Sequence, residues 1–113
     1  MEKWKVVAVE PEKEPYEAEM TFGEIQRFVG GDAEQIALYD DKVALANEEG
    51  RLKNLEHNRH MILQDKGHLP LTILGNFVVV KSGEQEYESL NEEEVKEAKF
   101  IYRSTSKDAT IFI

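Results

Sequence analysis

The sequence predicts an α+β domain: a small antiparallel or mixed sheet of about five strands with two main helices. Short β-branched runs are spread along the chain from Trp4 to Val80. Two segments carry the start signals of amphipathic helices, at Thr21 and Asn91. The two element types mix irregularly, without a βαβ alternation, so a sheet with helices packed on one face is expected.

Trp4 to Val9 reads as a strand, with Val6, Val7 and Val9 β-branched. Pro11 and Pro15 punctuate a loop. Tyr16 to Met20 alternates apolar and acidic residues, the period of a half-buried strand, so the two strands suit a hairpin. Thr21 opens a helix: Glu24 stands at the capping-box spacing, and Met20 can staple to Ile25. Phe22, Ile25, Phe28 and Val29 form its apolar stripe, and Gly30-Gly31 ends it.

Gln35 to Tyr39 and Lys42 to Ala46 read as an antiparallel pair joined at Asp40-Asp41. From His60 to Leu69 the pattern is weak. Leu71 to Val80 is the most apolar run, and Phe77-Val78-Val79-Val80 reads as a buried strand. Gly75 interrupts this run, which suggests a β-bulge or a close backbone approach to a ligand, the bulge being favoured. Asn91 begins the second helix, with Glu94 at the capping-box spacing and Val95, Ala98, Ile101 and Tyr102 as its buried stripe. Thr110 to Ile113 is either a last strand or an exposed apolar end, and self-association is one use for it.

The 113 residues suit one domain. With 41% apolar residues the chain can bury a real core. Trp4 to Val9 is too short for a secretory leader or a membrane span, and the chain has no cysteine, so a cytoplasmic protein is expected. The net charge of −9 disfavours direct binding to nucleic acid or to an anionic membrane. It serves solubility, or it presents an acidic face to a basic partner. Much of the acid falls within Glu10 to Glu19, Glu48 to Glu56 and Glu84 to Glu94.

The segment Asn47-Glu48-Glu49-Gly50-Arg51-Leu52-Lys53-Asn54-Leu55-Glu56-His57-Asn58-Arg59 stands out. It holds two of the four arginines and three asparagines. Leu52 and Leu55 are its apolar anchors. This run resembles domain of unknown function 3846, whose members share an Asn-Glu-Glu-Gly stretch ending in Asn-Arg. The likeness continues in Ile73-Leu74-Gly75-Asn76-Phe77-Val78-Val79, in Val9-Glu10-Pro11 and in Val29-Gly30-Gly31. It spans Val6 to Val80 and, more weakly, the last helix. Asn54 stands where the family pattern has glycine, and Glu56-His57 where it has a proline-containing pair. The resemblance implies a setting in phages, plasmids and other mobile elements.

The candidate ligand-binding residues are Asn47, Asn54, Asn58, Arg59, Gly75 and Asn76. Arg59 offers a planar fork for phosphate or carboxylate. The competing role is a lock, with Arg59 paired to Glu48, Glu49 or backbone carbonyls. The asparagines either face a ligand or set turn geometry. His57 and His60 would share one helical face, but with Glu56 and Asp65 they make a poor metal set, and no metal or cofactor is expected. Acidic pairs such as Asp40-Asp41 are ordinary in so acidic a chain and do not argue for acid–base catalysis. No Gly-x-Ser-x-Gly elbow occurs, and Gly30-Gly31 follows a helix, whereas a phosphate loop precedes one. A non-enzymatic phage-type binding protein is therefore expected. One form sequesters a small phosphate-bearing, nucleotide-like signal and so blunts host defence. The alternative is an acidic inhibitor or accessory factor acting on a host protein, nucleic-acid mimicry included.

Overall fold

The central strands are apolar on both sides, and that decides the layering. The computed structural model describes residues 2–113. Strands β1 (Trp4–Val9), β2 (Tyr16–Met20), β3 (Ala33–Ala37), β4 (Lys42–Asn47), β7 (Phe77–Ser82) and the short β8 (Tyr87–Glu88) form a six-stranded antiparallel sheet. Its main path runs β2-β1-β7-β4-β3, and β8 pairs with β7. Strands β5 (His57–Leu63), β6 (Leu69–Leu74) and β9 (Thr110–Phe112) form a second sheet in the order β6-β5-β9. There β5 and β6 are antiparallel, while β9 lies parallel to β5. The C-terminal segment is thus a strand.

One face of the large sheet presents Val6, Ala8, Val43, Leu45, Val78 and Val80 to helix α1 (Phe22–Val29), which contributes Ile25 and Val29. The opposite face presents Val7, Val9, Ala44, Ala46, Phe77 and Val79. Helix α2 (Glu92–Ile101) and the second sheet cover it, through Val95 and Ala98 and through Met61, Leu63 and Ile73. The expected placement of both helices on one face is corrected here. Every second residue of β1, β4 and β7 would otherwise face water. Fully burying each valine, leucine or phenylalanine among them is worth about 1.5–3 kcal/mol.

Three further expectations are revised. The third strand is Ala33–Ala37, because Leu38 and Tyr39 belong to the turn. Leu38 N–H donates to Lys42 O at 3.0 Å, Lys42 N–H to Tyr39 O at 2.8 Å, and Asp40 takes φ +48°. The weak stretch after Arg59 continues strand β5, whose inward positions include a charged residue and so hide the alternation. Leu52 is 85% exposed and anchors nothing.

Both helix starts form as expected. Thr21 Oγ1 accepts from Glu24 N–H at 3.1 Å, and Glu24 Oε1 accepts from Thr21 N–H at 2.8 Å. Asn91 and Glu94 repeat the arrangement at 2.9 Å each way. The Glu94 carboxylate also meets Lys42 at 2.9 Å and Lys81 at 2.8 Å, which ties the start of α2 to β4 and β7. Burial pushes the Glu94 carboxyl up, but Lys81, the Asn91 backbone N–H and Lys42 outweigh it and hold its pKa at about 2.

Thr21→Ala is expected to cost about 1 kcal/mol in a chemical melt, as N-caps do. Because the folded pKa of Glu94 lies below its ordinary value, its stabilisation is complete above pH about 4.5 and is lost as pH falls through about 2. Glu94→Gln should therefore lower stability at neutral pH, on the order of 2 kcal/mol, and flatten the acid limb between those values. Parallel acid limbs for the two proteins would show that the network contributes nothing.

Candidate functional site

A buried cation must find acceptors, and Arg59 finds them in backbone carbonyls. Its residue is 2% exposed. A register shift between His57 and Arg59 makes Asn58 the bulged residue of β5 and turns both Asn58 and Arg59 inward. Arg59 Nε donates to Tyr102 O at 3.3 Å, and Nη2 to the same oxygen at 3.0 Å and to Lys13 O at 2.7 Å. Nη1 donates to Asn58 Oδ1 at 2.8 Å and to Glu10 O at 3.4 Å. Burial lowers the guanidinium pKa, yet arginine stays charged near neutral pH. The carbonyl of Tyr102 ends α2, where the helix dipole is negative and favours a cation.

Asn58 completes this cluster. Its Nδ2 donates to Val9 O at 3.0 Å and to Gly75 O at 2.8 Å, which pins the end of β1 to the β6–β7 junction. Gly75 has φ +77°, and a Cβ there would lie 2.7 Å from Leu55 Cδ1. The space against this glycine is filled by the protein's own Leu55. The bulge lies across the ladder, on β5.

Asn47 and Asn76 serve the other end of the segment. They donate to Val29 O at 3.1 Å and to Phe28 O at 3.0 Å, the last carbonyls of α1. Lys53 Nζ adds a contact to Gly30 O at 3.4 Å, and Asn47 Oδ1 accepts from Glu49 N–H at 2.7 Å. Asn54 is exposed with φ +53°. It holds the left-handed conformation that glycine would take, so the turn keeps its shape.

The six candidate residues thus divide into two structural clusters, with Asn54 at the turn between them. The polar side chains of Asn58 and Arg59 are engaged inside the protein, and Arg59 presents no fork to the surface. Carboxylate pairing with Glu48 or Glu49 is absent too: the lock is made of carbonyls. His57 and His60 lie on strand β5, not on a helix, and His60 Nδ1 sits 2.6 Å from Thr72 Oγ1. Among the described residues, no group of three or more His, Asp or Glu residues comes together to hold a metal ion.

What the segment leaves open is a groove of about 370 Å³ beside its turn. Glu34 and Ile36 of β3, Ala46 and Asn47 of β4, the turn Glu48 to Leu52, and Thr72, Ile73 and Leu74 of β6 line it. Both β3 and β6 are edge strands of their sheets. Three carboxylates, Glu34, Glu48 and Glu49, face one cation, Arg51, along its rim. Lys53 partly screens Glu49 at 3.7 Å. Outside the segment, sequence reasoning missed Glu34, Ile36 and Thr72. The two-residue spacing that sets Glu34 and Ile36 on one face of β3 was the available signal, but it does not say that β6 lies nearby.

Arg59→Ala and Arg59→Lys should each destabilise, Ala by roughly 3–5 kcal/mol, because several buried carbonyls lose their donors together. Hydrogen exchange should accelerate in the Glu10–Lys13 loop and at the end of α2. A melting temperature equal to that of the parent would rule out the clamp. Gly75→Ala should cost about 1–3 kcal/mol through positive φ and overpacking. The penalty should shrink in a Leu55→Ala background, and a double-mutant cycle with no coupling would contradict the close approach.

The family model described as Domain of unknown function (DUF3846) matches residues 4–103. No curated protein and no solved structure matches the chain. The match takes in both asparagine clusters, the Arg59 clamp and the groove, and the chain belongs to the DUF3846 family.

Proposed function

We propose that this protein is a non-enzymatic binding protein that acts on a host protein through the groove beside the Asn47–Leu52 turn. The observation that carries this reading is the groove's charge: Glu34, Glu48 and Glu49 surround a floor containing Ile36, Ala46 and Ile73. An apolar floor with an acidic rim suits a basic protein segment, because rim charges steer encounter while apolar contact supplies affinity. The net charge of −9 acts in the same direction over longer range. A phage or mobile-element setting, which the resemblance implies, suits an accessory factor of this kind, met in the host cytoplasm.

Sequestration of a phosphate-bearing signal rested on Arg59, with Asn47, Asn58 and Asn76, facing a ligand. With that guanidinium spent on carbonyls, the groove offers Arg51 against three carboxylates, a poor balance for phosphate. Protein binding needs no free cation and is the reading favoured here.

The test is affinity capture from host cells with the parent protein and with a Glu34→Lys/Glu48→Lys/Leu52→Ser variant. Glu34, Glu48 and Leu52 are exposed, so the variant should melt like the parent. The parent should retain a host protein that the variant binds at least about tenfold more weakly. Equal capture by both would overturn the groove. A stoichiometric nucleotide released from the denatured parent, with no protein retained, would favour sequestration instead.

A further inference from the structure

We infer that the occupant of this groove is an extended basic segment of the partner, which adds as a fourth strand to the free edge of β6. The inference rests on the groove being the docking site proposed above and says how it is filled.

The first support is topological. The second sheet has only the strands β6-β5-β9, whereas the large sheet beneath it continues outward to β3. On β3, Glu34 and Ile36 lie opposite Ala46 and Ala44, which puts them on the face covered elsewhere by the second sheet. The upper layer therefore stops one strand short, and Ile36 is left partly exposed. An edge strand presents unpaired N–H and C=O groups, a template for an incoming chain. A strand added beside β6 would lie 4.7–4.9 Å from it and alternate its side chains between Ile36 and Ala46 below and solvent above.

The second support is where the edge is usable. Pro70 lacks an N–H and limits pairing at the far end of β6. At the near end the turn closes over Leu74, with the Gly50 backbone so near that a Cβ there would lie 3.4 Å from Leu74 O. The open stretch is Leu71 to Ile73, flanked by Leu52, which is 85% exposed.

The third support is charge. The acidic rim selects Lys or Arg on the incoming segment. It also argues against a second copy of this chain, since a two-fold pairing through this patch would set carboxylate against carboxylate.

The probe is an eight-residue peptide of alternating valine and lysine, titrated against the intact protein at low salt. It should bind, protect the edge-facing amides within Leu71 to Ile73 from exchange, and weaken as salt rises. A matching valine–glutamate peptide should not bind. Two further peptides carry N-methyl groups on alternate amides, because alternate N–H groups of a strand point to opposite edges. One of these sets should weaken binding by roughly tenfold, as expected when ladder hydrogen bonds are lost, and the other should not. Equal affinity of both methylated sets, or protection away from β6, would overturn strand addition. Groove binding itself would still stand if Glu34→Lys/Glu48→Lys weakened the unmethylated peptide. Unchanged affinity in that variant, or no binding of the valine–lysine peptide at all, would overturn the inference and the groove together.

Discussion

A single buried guanidinium organises the far side of this protein. Arg59 sits where β5, the β1–β2 loop and the end of α2 converge, and no carboxylate neutralises it. Its charge is spread instead over the carbonyl dipoles of Glu10, Lys13 and Tyr102, with the Asn58 side chain completing the set. Lysine, a point charge, could not reach three segments at once. The arrangement solves two accounting problems together. It solvates a cation taken out of water, and it supplies donors to the loop carbonyl of Lys13 and the helix-end carbonyl of Tyr102.

The same logic recurs at α1. Its last carbonyls are met by Asn47 and Asn76, which arrive from the ends of two different connections. The Asn47–Arg59 segment therefore acts at both of its ends as a cap on elements distant in sequence. The turn between those ends faces solvent, apart from Gly50 and the half-buried Leu55. Chain geometry is held by the asparagines and the arginine, while the exposed glutamates and Leu52 take little part in it.

This division places the groove. A rigidly capped turn sets Glu48, Glu49 and Leu52 beside the edges of β3 and β6 without tying up their side chains in the core. A site carried on a well-supported turn keeps its shape before a partner arrives, so less ordering cost falls on binding. In the proposed docking, the acidic rim and the unfinished upper layer form one surface, the first to select charge and the second to select an extended backbone.

Local chemistry was legible directly. The capping boxes at Thr21 and Asn91, the glycine cap of α1, the β2 alternation and the buried Phe77–Val80 strand all follow from residue types at short spacing. So did the importance of the Asn47–Arg59 segment and the two roles open to its arginine. Which role holds could not be read, because the acceptors of Arg59 lie as far as 49 residues away in the chain. The split of the helices between two faces was hidden for a related reason: continuous apolar runs say that both faces are covered, not by what. Strand β5 escaped notice because a paired-up cation and a bulge occupy inward positions where alternation would show apolar residues. The groove exists only because β6, the edge of the second sheet, ends over β4 and leaves β3, the edge of the large sheet, uncovered. Sequence alone determined the α+β class and the helix starts, and it marked the Asn47–Arg59 segment. Tertiary structure decided which of that segment's residues are spent inside and which face solvent, since only packing brings a donor to its distant acceptor.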